Sequence, residues 1–154
     1  MSERLVIGVG NADRGDDAAG LIAARHVGEA APQGVRVVET KAEPHTLMDA
    51  WRGAPAVWLI DACALATKVG TVHRFDAHTA PLPESLGALS SHGVGLGTTI
   101  ELARALGLMP PRLIVFAIEA KDFAPGGPVS AEIAEAARRV AGWIGEEVAR
   151  CVAV

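Results

Sequence analysis

Two short stretches, Ala56-Val57-Trp58-Leu59-Ile60 and Leu113-Ile114-Val115-Phe116-Ala117-Ile118, contain no polar residue. Each is too short for a buried helix and far too short to span a bilayer, which takes about 20 apolar residues. A strand with no polar face must be covered on both sides. In a small domain that means a mainly parallel sheet between two helical layers. The rest of the chain fits this alternation. Arg4–Val9 and Val35–Glu39 are further strand-like runs, and Asp16 to about Ala30 is Ala-rich and compatible with a helix. Short helices are expected at His45–Arg52 and Leu96–Leu106. A final helix carries an apolar stripe at Ile133, Ala137, Val140, Ile144 and Val148, with Ser130 as its N-cap.

One connection breaks the pattern. From Asp61 to Thr71 there are too few residues for a helical crossover. The strand at Val72–Phe75 is therefore expected to run antiparallel at a sheet edge. The expectation is a single three-layer α/β/α domain over residues 1–154, with a twisted, mostly parallel five-stranded sheet. The stretch Asp76–Ser91, with Pro81 and Pro83, reads as a surface loop or an irregular helix.

Composition excludes several functions. The chain has 154 residues, a net charge of −4, 4% aromatic residues and no tyrosine. A catalytic tyrosine is impossible, and neither the charge nor the aromatic content suits a nucleic-acid surface. No membrane association is expected. The start, MSERLVIGVGN, has no signal-peptide h-region and reads as a mature N-terminus. With two separated cysteines, Cys63 and Cys151, in no zinc pattern, the expected compartment is the cytoplasm.

Gly8-Val9-Gly10 follows a strand and precedes a helix, as a dinucleotide-binding loop would. The third glycine of that fingerprint is replaced by Asp13. Asp16 and Asp17 occupy the helix N-terminus, where they would repel a pyrophosphate. Nucleotide binding is disfavoured, and no organic cofactor is expected. One of the two aspartates can cap the helix while the other faces outward as a ligand or an acid–base group.

Sites in parallel sheets form at the carboxyl ends of strands. Three runs turn acidic there: the first leads to Asp17, the third ends in Asp61 and the last ends in Glu119. Asp61 is either a turn residue or a site carboxylate, and Glu119 reads as a solvated strand end near Lys121. Of the five histidines, His26 lies in the first helix, His45 begins a helix, and His73 and His78 flank the edge strand. His92 stands in a polar, glycine-rich approach to a helix. Two carboxylates and one imidazole would make a three-ligand site with open positions, suited to a divalent transition metal. The spacing of Asp17, Asp61 and His92 does not by itself establish one.

Four segments together carry a family resemblance. They are GVGNADRGDDAAG at 8–20, VWLIDA ending just past Asp61, Ser91-His92 with Gly95-Leu96, and IVFAIEA in the last strand. In this order they resemble the [NiFe]-hydrogenase maturation endopeptidases, and the likeness extends over essentially the whole chain. The resemblance implies an α/β/α fold and a hydrolase that clips a C-terminal extension from a hydrogenase large-subunit precursor after nickel insertion. It implies Asp17, Asp61 and His92 as the metal-contacting, catalytic set, with nickel supplied by the substrate. The expected partner is that precursor, and the protein is expected to be a monomer. Asp16 would then support Asp17. Cys63 is the only thiol near Asp61, and no base to activate it can be identified.

Two departures stand out. The family's Asp-Gly-Gly-Thr-like or Asp-Gly-Gly-Ser-like segment after the second strand is Glu39-Thr40-Lys41-Ala42-Glu43-Pro44 here. Its Glu-Pro or Gln-Pro after the last strand is Glu119-Ala120. The first departure keeps open a non-catalytic assembly chaperone that binds the precursor, and a nucleotide-binding module is the remaining alternative.

Overall fold

The computed structural model describes residues 3–11, 13, 15–30, 32–41, 43–64, 67–81, 96–121 and 125–152. Strands β1 (Arg4–Val9), β2 (Val35–Thr40), β3 (Val57–Ala64), β4 (Val72–Asp76) and β5 (Leu113–Ala120) form one sheet in the order β2-β1-β3-β5-β4. All neighbours are parallel except β4, which runs antiparallel to β5 at the edge. The helices are α1 (Ala19–Ala30), α2 (Pro44–Trp51), α3 (Leu96–Leu106) and α4 (Ala131–Val152). The mainly parallel sheet and its antiparallel edge strand are as expected from the sequence.

Side chains on a strand alternate between its two faces, and the two cores follow that alternation. Val6, Trp58, Ile60, Phe116 and Ile118 face α1 and α4. There they meet the α4 stripe Ile133, Ala137, Val140, Ile144 and Val148, all at most 2% exposed. Leu5, Ile7, Val57, Leu59, Leu113 and Val115 face the other way, onto Leu47 and Trp51 of α2 and Ile100 and Ala103 of α3. Burial on both faces accounts for the unbroken apolar runs in β3 and β5.

Two strands are longer than the sequence suggests. The third does not end at Asp61, nor the last at Glu119. β3 and β5 stay paired through Asp61↔Ala117, Ala62↔Ile118, Cys63↔Glu119 and Ala64↔Ala120. Alanine and cysteine at these positions are small enough to continue the ladder beneath the helices, so the acidic residues lie inside strands. The first helix also begins differently: Gly15–Ala18 is a tight 3₁₀ turn, entered through Gly15 at φ 54°, and α1 proper starts at Ala19. No helix among the described residues is long and apolar enough to cross a membrane.

From β1 the chain passes through α1 to β2 on one side, then through α2 to β3 on the other side of β1. Strand order therefore reverses between β1 and β3. At such a switch point the connections at the carboxyl edge diverge and leave a crevice, where parallel sheets place their ligands.

Candidate active site

The loop after β1 is built by its glycines and Asn11. The Asn11 side-chain oxygen accepts the Asp13 N–H at 2.9 Å, and Gly10 N–H donates to Thr40 O at 3.1 Å. A Cβ on Gly10 would run into the carbonyl of Asp17, and one on Gly20 into the carbonyls of Ile60 and Val9. These glycines let the start of α1 sit directly on the carboxyl ends of β1 and β3. Close backbone packing, not phosphate binding, explains the Gly-x-Gly pattern.

The same packing presses the 3₁₀ turn onto β3 and buries both aspartates. Asp16 is 0% and Asp17 1% exposed. The Asp16 carboxylate accepts the Ser130 N–H at 2.8 Å and the Ser130 hydroxyl at 3.1 Å. Ser130 immediately precedes α4, and its carbonyl accepts the Ala134 N–H. Asp16 thus ties the turn carrying Asp17 to the start of the longest helix. A supporting role for Asp16 was readable in the sequence, but its partner 114 residues away was not.

Asp61 is 3% exposed, and its Oδ1 accepts the Ala62 N–H at 2.8 Å. It continues the Val57-Leu59 face of β3, on the side of α2 and α3. The third expected site residue, His92, lies outside the described residues, as does most of the loop expected at Asp76–Ser91. Among the described residues no group of three or more His, Cys, Asp or Glu side chains is arranged to hold a metal ion. What the topology fixes is the position of α3. It descends from the carboxyl edge to feed β5, so its N-terminal end, which follows His92 in the chain, lies at the edge that carries Asp61.

Glu119 departs from the sequence reading. It is not a solvated strand end: it is 1% exposed. Its carboxylate accepts the Thr67 N–H at 2.7 Å and the Thr67 hydroxyl at 3.0 Å, and lies 2.7 Å from His73 Nε2. The signal that could have found it is strand alternation. Once β5 is extended to Ala120, Glu119 falls two residues beyond Ala117 on Asp61's face.

Cys63 lies between these carboxylates. Burial, then the negative charges of Glu119 and Asp61, push its thiol up to about 12. A thiolate nucleophile is thereby disfavoured at neutral pH.

Comparison with known proteins decides the family. A model of the hydrogenase maturation proteases (HycI) matches residues 23–147. The chain belongs to the hydrogenase maturation protease family. It is accordingly a peptidase, a hydrolase. The matched stretch includes Asp61 and His92 and begins after Asp17. Among solved structures, the protease is similar to the [NiFe] hydrogenase maturation protease HybD from Thermococcus kodakarensis, with 26% identity and a TM-score of 0.77 over 95% of this chain and 99% of that one. It is also similar to HycI from Thermococcus kodakarensis KOD1, with 23% identity and a TM-score of 0.73 over 96% and 92% of the two chains. The maturating endopeptidase HybD from E. coli shares the fold at 17% identity, with a TM-score of 0.76 over 92% and 89%. A sequence comparison with curated proteins found no match.

Proposed function

We propose that this protease removes the C-terminal extension of a [NiFe]-hydrogenase large-subunit precursor once nickel has been inserted, using Asp17, Asp61 and His92. The observation that carries the reading is the family match across residues 23–147. Two features of the site support it: Asp17 and Asp61 both lie at the β1/β3 switch point, and the thiol nearest to them is held protonated.

In this reading nickel arrives with the substrate. Two carboxylates and one imidazole leave coordination positions for ligands from the precursor, so a nickel-loaded precursor completes the shell and an empty one does not. Asp17, Asp61 and His92 would hold the substrate's nickel, which would supply Lewis-acid chemistry beside the scissile peptide. The altered segment begins with Glu39 and Thr40, the last two residues of β2, at the same edge, where the Gly10–Thr40 hydrogen bond joins it to the Asp17 loop. It is positioned to select the precursor.

The test is the mass of a co-expressed large-subunit precursor with and without nickel. Wild-type protein is expected to shorten only the nickel-loaded form, and Asp61→Asn and His92→Ala are expected to leave it full length. Clipping by both variants at the normal rate would overturn the residue assignment. Equal clipping of nickel-free precursor would overturn the checkpoint. Binding without any change of mass would mean an assembly chaperone.

A further inference from the structure

The protease reading leaves one buried group unused, the Glu119 carboxylate with its half-exposed partner His73. Sheet register fixes where the pair stands. His73 of β4 is opposite Ala117 of β5, and Ala117 is opposite Asp61 of β3. The three form one row across the sheet. Neighbouring strands are about 4.8 Å apart, so His73 and Asp61 are separated by about 10 Å at Cα. The residue between them is alanine, so no larger side chain stands between His73 and Asp61 in the row. Below this row, at Leu59, Val115 and Phe75, the face is apolar core.

The imidazole is held on two sides. Nε2 lies 2.7 Å from Glu119 Oε2, and the ring stacks on Phe75 at 6.2 Å between centroids and 12° between planes. The Thr67 N–H and hydroxyl supply further donors to Glu119, an acceptor-only role that matches an ionised carboxylate. A carboxylate on one ring nitrogen fixes the tautomer and turns the other nitrogen into a base. The His73 side chain is 37% exposed against 1% for Glu119, so the ring is accessible while its anchor is not.

Peptide hydrolysis needs such a group. An amine leaves poorly unless it gains a proton. If Asp17, Asp61 and His92 bind nickel, their lone pairs are committed. Of the described histidines at this edge and face, His45 begins α2 largely exposed beside Glu43, whereas His73 stands on the sheet against a buried carboxylate. His78 is at the opposite end of the sheet, against Pro110 O.

We propose that His73, oriented by Glu119, is a catalytic residue that shuttles a proton during cleavage of the precursor. Nδ1 takes a proton from the attacking water as its oxygen bonds to the scissile carbonyl carbon. The same proton passes to the leaving nitrogen as the C–N bond breaks. The imidazole ends as it began, and the atoms of water are divided between the new acid and the new amine. Glu119 acts through His73 and is a positioning residue. Both roles rest on the protease reading above.

The experiment is a mass-resolved time course of nickel-loaded precursor with full-length wild type, His73→Gln, His73→Ala and Glu119→Gln. Loss of acid–base catalysis is expected to lower kcat by about a hundredfold in both His73 variants, with KM unchanged. Added imidazole is expected to restore part of the His73→Ala rate. Glu119→Gln is expected to fall about tenfold in kcat, as wrongly oriented imidazoles do to a lesser degree than missing ones. Wild-type cleavage with an unaffected His73→Gln overturns the proposal and leaves the protease reading intact. So does a loss confined to KM, or one that imidazole does not restore. A wild-type protein that never shortens the precursor overturns the protease reading itself.

Discussion

The two faces of the sheet end differently at the carboxyl edge. Toward α1 and α4, β3 and β5 remain apolar to their last residues: Ala62, Ile118 and Ala120 are buried with Ile133 of α4. Toward α2 and α3 the same strands carry Asp61, Cys63 and Glu119 before they end. Adjacent residues of one strand therefore do opposite work. One face is sealed by the longest helix, and the other is left polar where α3 begins, at the proposed site. The proposed site is thus a property of half a strand, set by period-two alternation.

Exchanging the two characters should produce the largest effect. Ala62→Asp places an unpaired carboxylate in the α1/α4 core and is expected to cost about 4 kcal/mol or more. Its neighbour Asp61→Asn retains an acceptor for the Ala62 N–H and is expected to cost at most about 1 kcal/mol while abolishing cleavage. Urea unfolding measures both. Equal costs for the two substitutions would show that the faces do not differ as described.

The seam where α1 meets the switch point offers the next contrast. Gly20→Ala drives a Cβ into backbone carbonyls of β1 and β3. Neither can yield without moving a strand, so a cost of about 3 kcal/mol is expected, with reduced cleavage as Asp17 shifts. Gly28, on the same helix, has nothing nearer than 3.9 Å at that point, in the Val37 side chain. Gly28→Ala is expected to gain up to about 1 kcal/mol from helix propensity. Thermal unfolding of the pair separates close approach from backbone entropy. A tolerated Gly20→Ala would break the account of the close approach of α1 to the ends of β1 and β3.

These contrasts also show what the residues disclose before folding. The apolar runs at Ala56 and Leu113 announce a sheet buried on both faces, and the short Asp61–Thr71 connection announces its antiparallel edge. Both signals are local, and both are met by the structure. The α4 stripe from Ile133 to Val148 is equally local. Asp16–Ser130 and Glu119–His73 are different: each joins residues whose neighbourhood depends on register between distant strands and helices. Glu119 misleads because an acidic residue after an apolar run reads as the end of a strand. Only pairing with Cys63 of β3 shows that the strand continues. The Asp17 and Asp61 assignments came through the family resemblance, since their 44-residue separation obeys no ligand-spacing rule. His92, carried over the same way, lies outside the described residues.

A smaller effect tests the anchor on the stable side. Ser130→Ala removes the hydroxyl bonds to Asp16 at 3.1 and 3.2 Å at the start of α4, and leaves the backbone N–H bond to Asp16 in place. A loss of about 1 kcal/mol is expected. Because Asp16 precedes Asp17 in the tight turn, cleavage should fall modestly as well. Full activity together with lowered stability would confine Ser130 to the architecture.

The smallest effect is expected at Cys63, which sits on the chemical face without joining the chemistry. Its thiol is pushed from an ordinary value of 9.0 up to about 12, first by burial and then by the charges of Glu119 and Asp61. A raised value in the folded state means that the unfolded chain gives up this proton first. The stability linked to Cys63 is therefore complete below about pH 9 and declines as pH rises toward about 12. Cys63→Ala should flatten that part of the pH–stability curve and leave the cleavage rate at neutral pH unchanged. In the folded wild type, iodoacetamide should label Cys63 far more slowly than after unfolding. Rapid labelling with parallel loss of cleavage would make the thiol a nucleophile, and the polar face would then need no metal-borne route to the peptide.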